Sequence, residues 1–511
     1  MFNILEYLDR DAERFPEKLA FSDAELSVTY DKLKEYAEKI GHYISKMQME
    51  EDNGKDAVPI GVFADHNVKT ILAFMGIAES GNFYVPMDPK QPISKTEKIL
   101  NDSKIQLVFG RRGEQQLLPD SYTGRFAIIE EAYDTETVQC HMLDSCTEKD
   151  YSDVPLYMVY TSGSTGYPKG VLKSHGAVTD FVEAYADTFD FSENEIIGNQ
   201  TPLFFDASAK DIYLTLKLGA TMHIIPEGKF LMTPALIRYL DEKEITFISW
   251  VPSALTLVTQ FNTFSELLPH TLKKVFFVGE AFPIKHFRKW QEALPDIEYV
   301  NLYGASELAG ICCYFKSPRA YEGDSLPIGK PLKNCEIRLI DNDRSDGGNF
   351  KVIKEAGKTG EIYLSSKALA LKYYNDPEKT ASAFVYIDGQ RFFKTGDMAW
   401  YDEDGNLNFA ARNDSQIKHM GQRIELGEIE SICMTLPEID KACCLYDSIK
   451  KRIYLFCQLD RGVQEDAKSL LVKLKKILVY YMIPQRVVIK DSLPINANGK
   501  IDRQLLKQEM K

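Results

Sequence analysis

Residues 160–170 read YTSGSTGYPKG, and this stretch decides the fold of the 511-residue chain. The run before it, LYMVY at 156–160, is apolar and contains β-branched Val159, which predicts a buried strand. The run after it, VLKSHGAVTDFVEAYADTF, has apolar residues at helical spacing. A glycine-rich loop that leaves a strand and leads to a helix predicts a polyphosphate site, because successive backbone N–H groups in such a turn form a concavity for anions.

The loop also carries the residue types that a polyphosphate needs. Gly163 and Gly166 can adopt positive φ angles and let the backbone approach a ligand closely, and Lys169 adds a positive charge. A flexible serine–glycine linker does not account for the preceding strand, for Pro168 or for Lys169. The Walker pattern GxxxxGK[ST] is absent, because Lys169 precedes a glycine, and kinases or GTPases built on that loop are excluded.

The composition is that of a soluble globular protein with more than one domain, since 511 residues exceed what one core usually holds. A formal net charge of −14 argues against nucleic-acid binding, which requires a basic face. No secretory signal and no apolar run of membrane-spanning length is visible, so we expect no membrane insertion. The nine cysteines form no CxxC pattern, which favours a reducing, cytoplasmic location over disulfides or zinc sites.

Strand-like and helix-like segments alternate through most of the chain, which predicts parallel sheets covered by helices. Polar turn sequences between residues 320 and 410 predict a small antiparallel region. A last unit then combines helices with two strands. We therefore expect an α/β fold with a large N-terminal domain, residues 1–411, and a small mobile α+β C-terminal domain, residues 412–511.

Three further motifs place polar residues at strand ends or in tight turns. NLYGASE at 301–307 contains Tyr303, an aromatic ring that can lie against a purine, and Glu307, a carboxylate that can hold Mg²⁺. Asp397, in FKTGDMAWY, suits the two hydroxyls of a ribose because a carboxylate only accepts hydrogen bonds. Lys500 lies in the Asn-Gly turn of PINANGKIDR. NLYGASE alone is a weak signal, and Asp397 or Lys500 alone is better explained as a solvated residue, so the interpretation depends on all of them together.

In order and sequence context these motifs resemble the adenylate-forming superfamily, which includes acyl-CoA synthetases, luciferases and peptide-synthetase adenylation domains. The resemblance runs from about residue 5 to residue 507. Within the superfamily the chain is most similar to amino-acid-activating enzymes, including D-alanine–carrier-protein ligases. The segment FFDASAKDIY (204–213) carries that distinction, because Asp206 stands where those enzymes pair with the substrate ammonium. The same residue argues against a luciferase-like oxygenase.

The resemblance implies ATP-dependent activation of an amino acid as an aminoacyl-adenylate, with release of pyrophosphate. Transfer to the phosphopantetheine thiol of a separate carrier protein follows. ATP and Mg²⁺ are the implied cofactors. A D-alanine ligase acting for cell-wall teichoic acid and an acyl-CoA ligase are alternatives. A catalytically silent nucleotide-binding relative is a further alternative. Such a relative is expected to have lost Lys500, Glu307 or the 161–170 loop, and this sequence keeps all three.

The resemblance also implies roles for single residues. Lys500 contacts the substrate carboxylate and the phosphate during adenylate formation, Glu307 holds the metal, and Thr165 joins them in the catalytic set. Because Lys500 would obstruct an incoming thiol, the C-terminal domain rotates about a hinge at Asp414. The implied nucleotide-binding residues are Thr161, Ser162, Gly163, Ser164, Thr165, Gly166, Lys169, Gly279, Glu280, Tyr303, Gly304, Ser306, Asp397 and Arg412.

Motif alignment implies an acyl pocket in which Lys210 is the unusual member. An inward Lys210 favours an acidic amino acid, whereas a Lys210 that faces solvent beside Asp211 leaves a small pocket suited to alanine. The segment 365–380 departs from the family pattern, but the change touches no predicted catalytic group. Basic runs at 450–452 and 473–476 are either docking sites for an acidic carrier protein or solvated surface. The implied pocket residues are Asp206, Ala207, Lys210, Ser249, Phe276, Val278, Leu302, Gly310 and Ile311.

Overall fold

The computed structural model describes most of the chain, with side chains except at residues 49, 411 and 412, where it describes the backbone alone. The described residues are 3–49, 57–134, 151–161, 168–341, 350–412, 416–460, 462–495 and 501–510.

A nine-stranded sheet forms one half of the N-terminal domain. Its strands are β1 (Leu19–Ser22), β2 (Ser27–Thr29), β9 (Ile196–Asn199), β10 (Thr221–Ile224), β11 (Phe247–Trp250), β12 (Lys274–Val278), β13 (Glu298–Tyr303), β14 (Cys313–Lys316) and β15 (Lys330–Pro331). They lie in the order β15-β14-β13-β12-β11-β9-β10-β1-β2. The central pairs are parallel and the outermost pairs are antiparallel, as expected where helices connect neighbouring strands.

A seven-stranded sheet forms the other half. Its strands are β3 (Pro59–Phe63), β4 (Phe83–Met87), β5 (Leu107–Gly110), β6 (Arg125–Ile128), β7 (Pro155–Thr161), β8 (Lys169–Ser174) and β19 (Lys372–Tyr373), in the order β19-β8-β7-β4-β3-β5-β6. The predicted strand before the glycine-rich loop is β7, and β8 returns antiparallel beside it.

The helices of the N-terminal domain cover and join these sheets. They are α1 (Leu5–Arg14), α2 (Tyr30–Met49), α3 (Val68–Glu79), α4 (Ile93–Ser103), α5 (Ile129–Tyr133), α6 (His175–Thr188), α7 (Ala209–Leu218), α8 (Glu227–Phe230), α9 (Thr233–Glu242), α10 (Pro252–Gln260), α11 (Ile284–Ala293) and α12 (Pro377–Ala383). Helix α3 is buried over nearly its whole length, which its almost continuous apolar run requires. It crosses α2 at Gly76, where a Cβ atom would lie 2.3 Å from Cβ of Ile40.

The antiparallel region is a six-stranded sheet. It consists of β16 (Cys335–Asp341), β17 (Lys351–Ile353), β18 (Gly360–Ser366), β20 (Phe384–Ile387), β21 (Gln390–Tyr401) and β22 (Leu407–Arg412). Apolar residues of this sheet and of both large sheets belong to one continuous hydrophobic core. The N-terminal domain is therefore held together as a single packed unit.

The C-terminal domain has a core of its own. Its elements are β23 (Gln416–His419), β24 (Gln422–Glu425), α13 (Leu426–Cys433), β25 (Ile439–Asp447), β26 (Arg452–Leu459), α14 (Ala467–Ile477), β27 (Arg486–Lys490) and α15 (Arg503–Lys507). Leu455, Leu470 and Leu474 are fully buried in this core, and Phe205 of the N-terminal domain packs against it.

The α/β fold class that the sequence predicts is confirmed, with helix-covered, mainly parallel sheets, an antiparallel region and a small α+β C-terminal domain. The boundary between residues 411 and 412 stays a prediction. Among the described residues, no helix is both long and apolar enough to cross a lipid bilayer.

Candidate active site

A cleft opens at the carboxyl ends of parallel strands, which is where open α/β sheets bind ligands. One wall comes from the N-terminal domain, and the other from the hairpin formed by β23 and β24. Eleven residues predicted from the sequence line this cleft: Thr161, Asp206, Ala207, Lys210, Val278, Gly279, Gly304, Ser306, Gly310, Ile311 and Asp397.

Asp206 lines the cleft just before α7, and internal donors hold its carboxylate. Its Oδ1 accepts hydrogen bonds from the ammonium of Lys173 and, at 3.0 Å, from the hydroxyl of Tyr157. Among the described residues no donor reaches Oδ2, and 15% of the side chain is exposed. Burial raises the pKa of Asp206, and the Lys173 ammonium opposes that rise. One carboxylate oxygen therefore remains for a ligand in the cleft.

Lys173 is a site residue that the sequence interpretation missed. It lies on β8, is fully buried, and also donates to the carbonyl oxygen of Leu308 at 2.8 Å. Burial lowers the pKa of Lys173, whereas Asp206 raises it. A signal was present in the sequence, because residues four apart on a strand lie on the same face, and Lys169 is assigned to the site by its motif.

Lys210 is buried and lines the cleft, so it does not face solvent. Its ammonium donates to Oδ1 of Asp211 at 2.9 Å and to the carbonyl oxygen of Ser249 at 3.2 Å. The residue is thus a charged group with two internal partners at the edge of the cleft.

Three predicted pocket residues, Ser249, Phe276 and Leu302, are buried but do not line the cleft in this structure. Phe276 packs in an aromatic cluster, with its ring centroid 4.8 Å from that of Phe189. Leu302 lies level with the cleft residue Val278 in the sheet, and its side chain packs in the hydrophobic core instead. For Ser249 and Phe276, which lie opposite each other on β11 and β12, the physical reason is depth along the strands. Phe276 precedes the cleft residue Val278 by two positions on β12, which places it about 7 Å further from the strand end.

Glu307 is fully buried and accepts hydrogen bonds from three parts of the chain. Its Oε1 lies 2.6 Å from the hydroxyl of Tyr373 and 3.3 Å from Nζ of Lys169, and its Oε2 lies 2.7 Å from a guanidinium nitrogen of Arg423. Burial alone would raise the pKa of Glu307, but Arg423, Lys169 and the Tyr373 bond outweigh it and hold that pKa well below its usual value.

Two of these donors were not predicted. Tyr373 lies in the segment 365–380 and supplies a hydrogen bond to Glu307, a contact that the sequence interpretation did not assign to this segment. Arg423 belongs to the C-terminal domain, and nothing local in its sequence indicates which residue of the other domain it meets.

The predicted adenosine-binding residues form a second cluster. The hydroxyl of Tyr303 donates to Oδ2 of Asp397, and the ammonium of Lys418 lies 5.1 Å from the Tyr303 ring centroid. In the backbone register of β21 and β22, Asp397 lies opposite Arg412. Glu280 accepts from the backbone N–H of Gly421 and thereby contacts the hairpin.

The two implied cofactors fit these residues differently. A nucleotide fits, because Thr161 lines the cleft and its buried hydroxyl has no hydrogen-bond partner in the described part of the chain. A metal ion on Glu307 does not fit while Arg423 is present, since two cations, Lys169 and Arg423, already share this buried carboxylate.

The remaining predicted residues lie outside the described residues or lack described side chains. Ser162, Gly163, Ser164, Thr165, Gly166, Asp414 and Lys500 belong to the first group, and Arg412 belongs to the second. Their roles stay predictions.

Comparisons with known proteins agree with this geometry. Residues 8–374 match the AMP-binding enzyme family, and residues 428–500 match the AMP-binding enzyme C-terminal domain. Tyrocidine synthase 1 of Brevibacillus parabrevis is 28% identical over 99% of this chain and 45% of its own length. The chain thus spans less than half the length of the curated relatives it matches.

Solved structures share the fold across both domains. The crystal structure of IdnL1 is similar with a TM-score of 0.80 at 27% identity, covering 96% of this chain and 99% of its own. The Vibrio cholerae adenylation domain AlmE, solved in complex with glycyl-adenosine-5'-phosphate, has a TM-score of 0.82 at 21% identity over 100% of this chain and 98% of its own.

Proposed function

Because the chain belongs to the AMP-binding enzyme family, we propose that it is an ATP-dependent, AMP-forming ligase that activates an amino acid and passes it to the phosphopantetheine thiol of a carrier protein. The observation that carries this proposal is Asp206, whose Oδ2 is available to the same cleft that Thr161 and Asp397 line. A partly buried carboxylate is the group that best binds a substrate ammonium.

In the first step, a carboxylate oxygen of the amino acid attacks the α-phosphorus of ATP, an oxygen–phosphorus bond forms, and the bond to pyrophosphate breaks. The attacking carboxylate is already ionised, so the step needs no general base. Two anions must meet, and they repel by several kcal/mol in a partly buried site, so cations aimed at the cleft supply most of the catalysis. Lys169, which the structure holds at Glu307, and Lys500 are proposed as these cations.

In the second step, a thiol sulfur attacks the acyl carbon and AMP leaves. The arrangement in this structure suits that step better than the first. Arg423 neutralises Glu307 and Gly421 contacts Glu280, so the hairpin of β23 and β24 occupies the position from which a metal ion would reach Glu307. Pyrophosphate has already left by the second step, so a metal ion on Glu307 would no longer be required there. Mg²⁺ would shield the phosphates in the first step, with the hairpin withdrawn.

Buried Lys210 supports an acidic amino acid as substrate, because its ammonium could pair with a second carboxylate in place of one internal partner. The D-alanine alternative requires a small pocket without that charge. Lys450, Lys451 and Arg452 line a concave surface beside Met420 of the hairpin, which supports an anionic acceptor: the acidic carrier protein that we propose, or CoA as the alternative.

The test is exchange of labelled pyrophosphate into ATP, measured with each of the twenty amino acids, D-alanine and simple carboxylic acids. We expect exchange with an amino acid, and most strongly with glutamate or aspartate. Exchange with D-alanine alone would show that the protein is a D-alanine ligase and that an acidic amino acid is not its substrate. Absence of exchange with every acid, in a preparation that is folded by circular dichroism, would refute the proposed function.

A further inference from the structure

A lysine of the protein itself occupies one oxygen of the carboxylate that a substrate ammonium would use. Lys173 is fully buried on β8, and its ammonium donates to Oδ1 of Asp206. Its other contacts are neutral: the carbonyl oxygen of Leu308 at 2.8 Å and the ring of Tyr157, whose centroid is 5.2 Å away. Asp206 is therefore the one anion within hydrogen-bond reach of Lys173 among the described residues.

We propose that Lys173 is a built-in counter-cation for Asp206 and that it determines how strongly the acyl pocket requires an amino group on its substrate. The inference rests on the proposed function, because it concerns which acids that reaction accepts. Lys173 does not touch the reacting atoms, so it is a positioning and specificity residue rather than a catalytic one.

A buried charge that is left unpaired is strongly destabilising. Without Lys173, Asp206 would stay unpaired unless the substrate brought a cation, and the site would reject any acid that lacks an amino group. With Lys173 in place, a desamino acid leaves no charge uncompensated. The like charge of Lys173 also weakens the attraction of Asp206 for a substrate ammonium. The pocket should therefore accept carboxylic acids with and without an amino group.

The tyrosine on the same carboxylate does not supply this charge compensation. Tyr157 donates a neutral hydrogen bond at 3.0 Å, and burial raises its pKa well above the usual value, so it stays protonated and uncharged. Removal of Lys173 thus removes the positive charge that lies beside Asp206, whereas Tyr157 remains as a hydrogen-bond donor and holds the Asp206 side chain in place.

The experiment compares two substrates within one enzyme preparation, so losses of folded protein cancel. Pyrophosphate exchange gives kcat/KM for the best amino acid and for its desamino analogue; L-glutamate with glutarate and D-alanine with propionate are the first pairs. In the parent enzyme we expect the amino acid to be preferred by about 10²-fold or less, against 10⁴–10⁵ for a site that must bond the missing group. In Lys173→Met we expect the preference to rise at least about tenfold.

Two further variants separate charge from packing. Lys173→Gln keeps a hydrogen-bond donor but not the charge, so its preference should rise as well, and it serves if Lys173→Met does not fold. Lys274→Met is the matched control, because Lys274 pairs with the buried Glu195 of the same domain and neither residue lines the cleft. Its preference should equal that of the parent.

The outcomes distinguish the two proposals. A parent enzyme that exchanges with no acid refutes the proposed function and, with it, this inference. A parent that accepts the amino acid but rejects its desamino analogue by about 10⁴-fold or more overturns the inference alone. The inference is also overturned if the preference for the amino acid over its desamino analogue stays within about threefold of the parent value in both Lys173 variants. That result is expected if Lys173 only fills space.

Discussion

At the residue scale, the carboxyl group of Glu79, which is remote from the cleft, makes the stability of the fold depend on pH. It ends α3, where burial and the neighbouring carboxylates Asp9 and Glu38 raise its pKa to about 8, with Lys34 opposing them. The unfolded chain loses this proton near pH 4.5, whereas the folded protein keeps it until about pH 8. The folded state thus binds the extra proton between these values, and stability falls as pH rises through that range.

Glu79→Gln should therefore stabilise the protein more at high pH than at low pH. We expect its melting temperature to exceed that of the parent at about pH 8.5 and the difference to shrink steadily toward about pH 5. Scanning calorimetry of both proteins over this range measures it. A difference that does not change with pH would show that Glu79 ionises normally in the folded protein.

Lys500 is the residue whose predicted role depends most on the resemblance. Lys500→Ala should lower adenylate formation by about 10²–10³-fold, the usual effect of losing one group that stabilises a transition state. It should leave thioester formation from pre-made adenylate nearly unchanged. The thiol attacks after pyrophosphate has left, when the repulsion between the substrate carboxylate and the triphosphate no longer has to be overcome. Measuring the two half-reactions separately decides the point, and equal losses in both would contradict the role.

At the element scale, the tip of the hairpin between β23 and β24 fits closely against the N-terminal domain. Gly421 has φ of +74°, and a Cβ atom there would lie 2.5 Å from Cγ1 of Val251. Gly421→Ala should push the hairpin away from the cleft and slow thioester formation by about tenfold, since overpacking of this kind costs about 1–3 kcal/mol. Adenylate formation should be spared.

The control for backbone strain is Gly405→Ala. Gly405 also has φ of +74°, but a Cβ atom there would have no neighbour within 4 Å. Both variants carry the strain of an alanine in the left-handed region, and only Gly421→Ala adds the contact with Val251. If the two variants lose the same activity in the second half-reaction, contact of the hairpin tip with Val251 has no part in that step.

Contacts between the hairpin and the N-terminal domain could not be predicted from the sequence. The strand before the glycine-rich loop, the aspartate of the FFDASAK segment and the carboxylate at Glu307 could be placed because each belongs to a local pattern. Lys173 was accessible through strand alternation, since it shares a face with Lys169. Arg423 and Tyr373 were not accessible, because their contacts with Glu307 depend on how distant elements pack rather than on neighbouring residues.

At the scale of the whole molecule, Glu307 cannot bind Arg423 and a metal ion together. Mg²⁺ with ATP should therefore shift the population toward a state in which the C-terminal domain has moved off the cleft, and AMP alone should not. Hydrogen exchange of the amides in β23 and β24 is expected to quicken with Mg²⁺ and ATP. The amides of β25 and β26, inside the domain, serve as the internal reference. Unchanged exchange in the hairpin would mean that metal and hairpin do not compete.

The three partners of Glu307 have a consequence for how the polypeptide acquires its native state. They lie 66, 116 and 138 residues away along the chain, at Tyr373, Arg423 and Lys169. Contacts so distant in sequence form late, after each domain has collapsed around its own interior. During renaturation from denaturant, recovery of ligase turnover should consequently lag behind recovery of the far-ultraviolet dichroism signal.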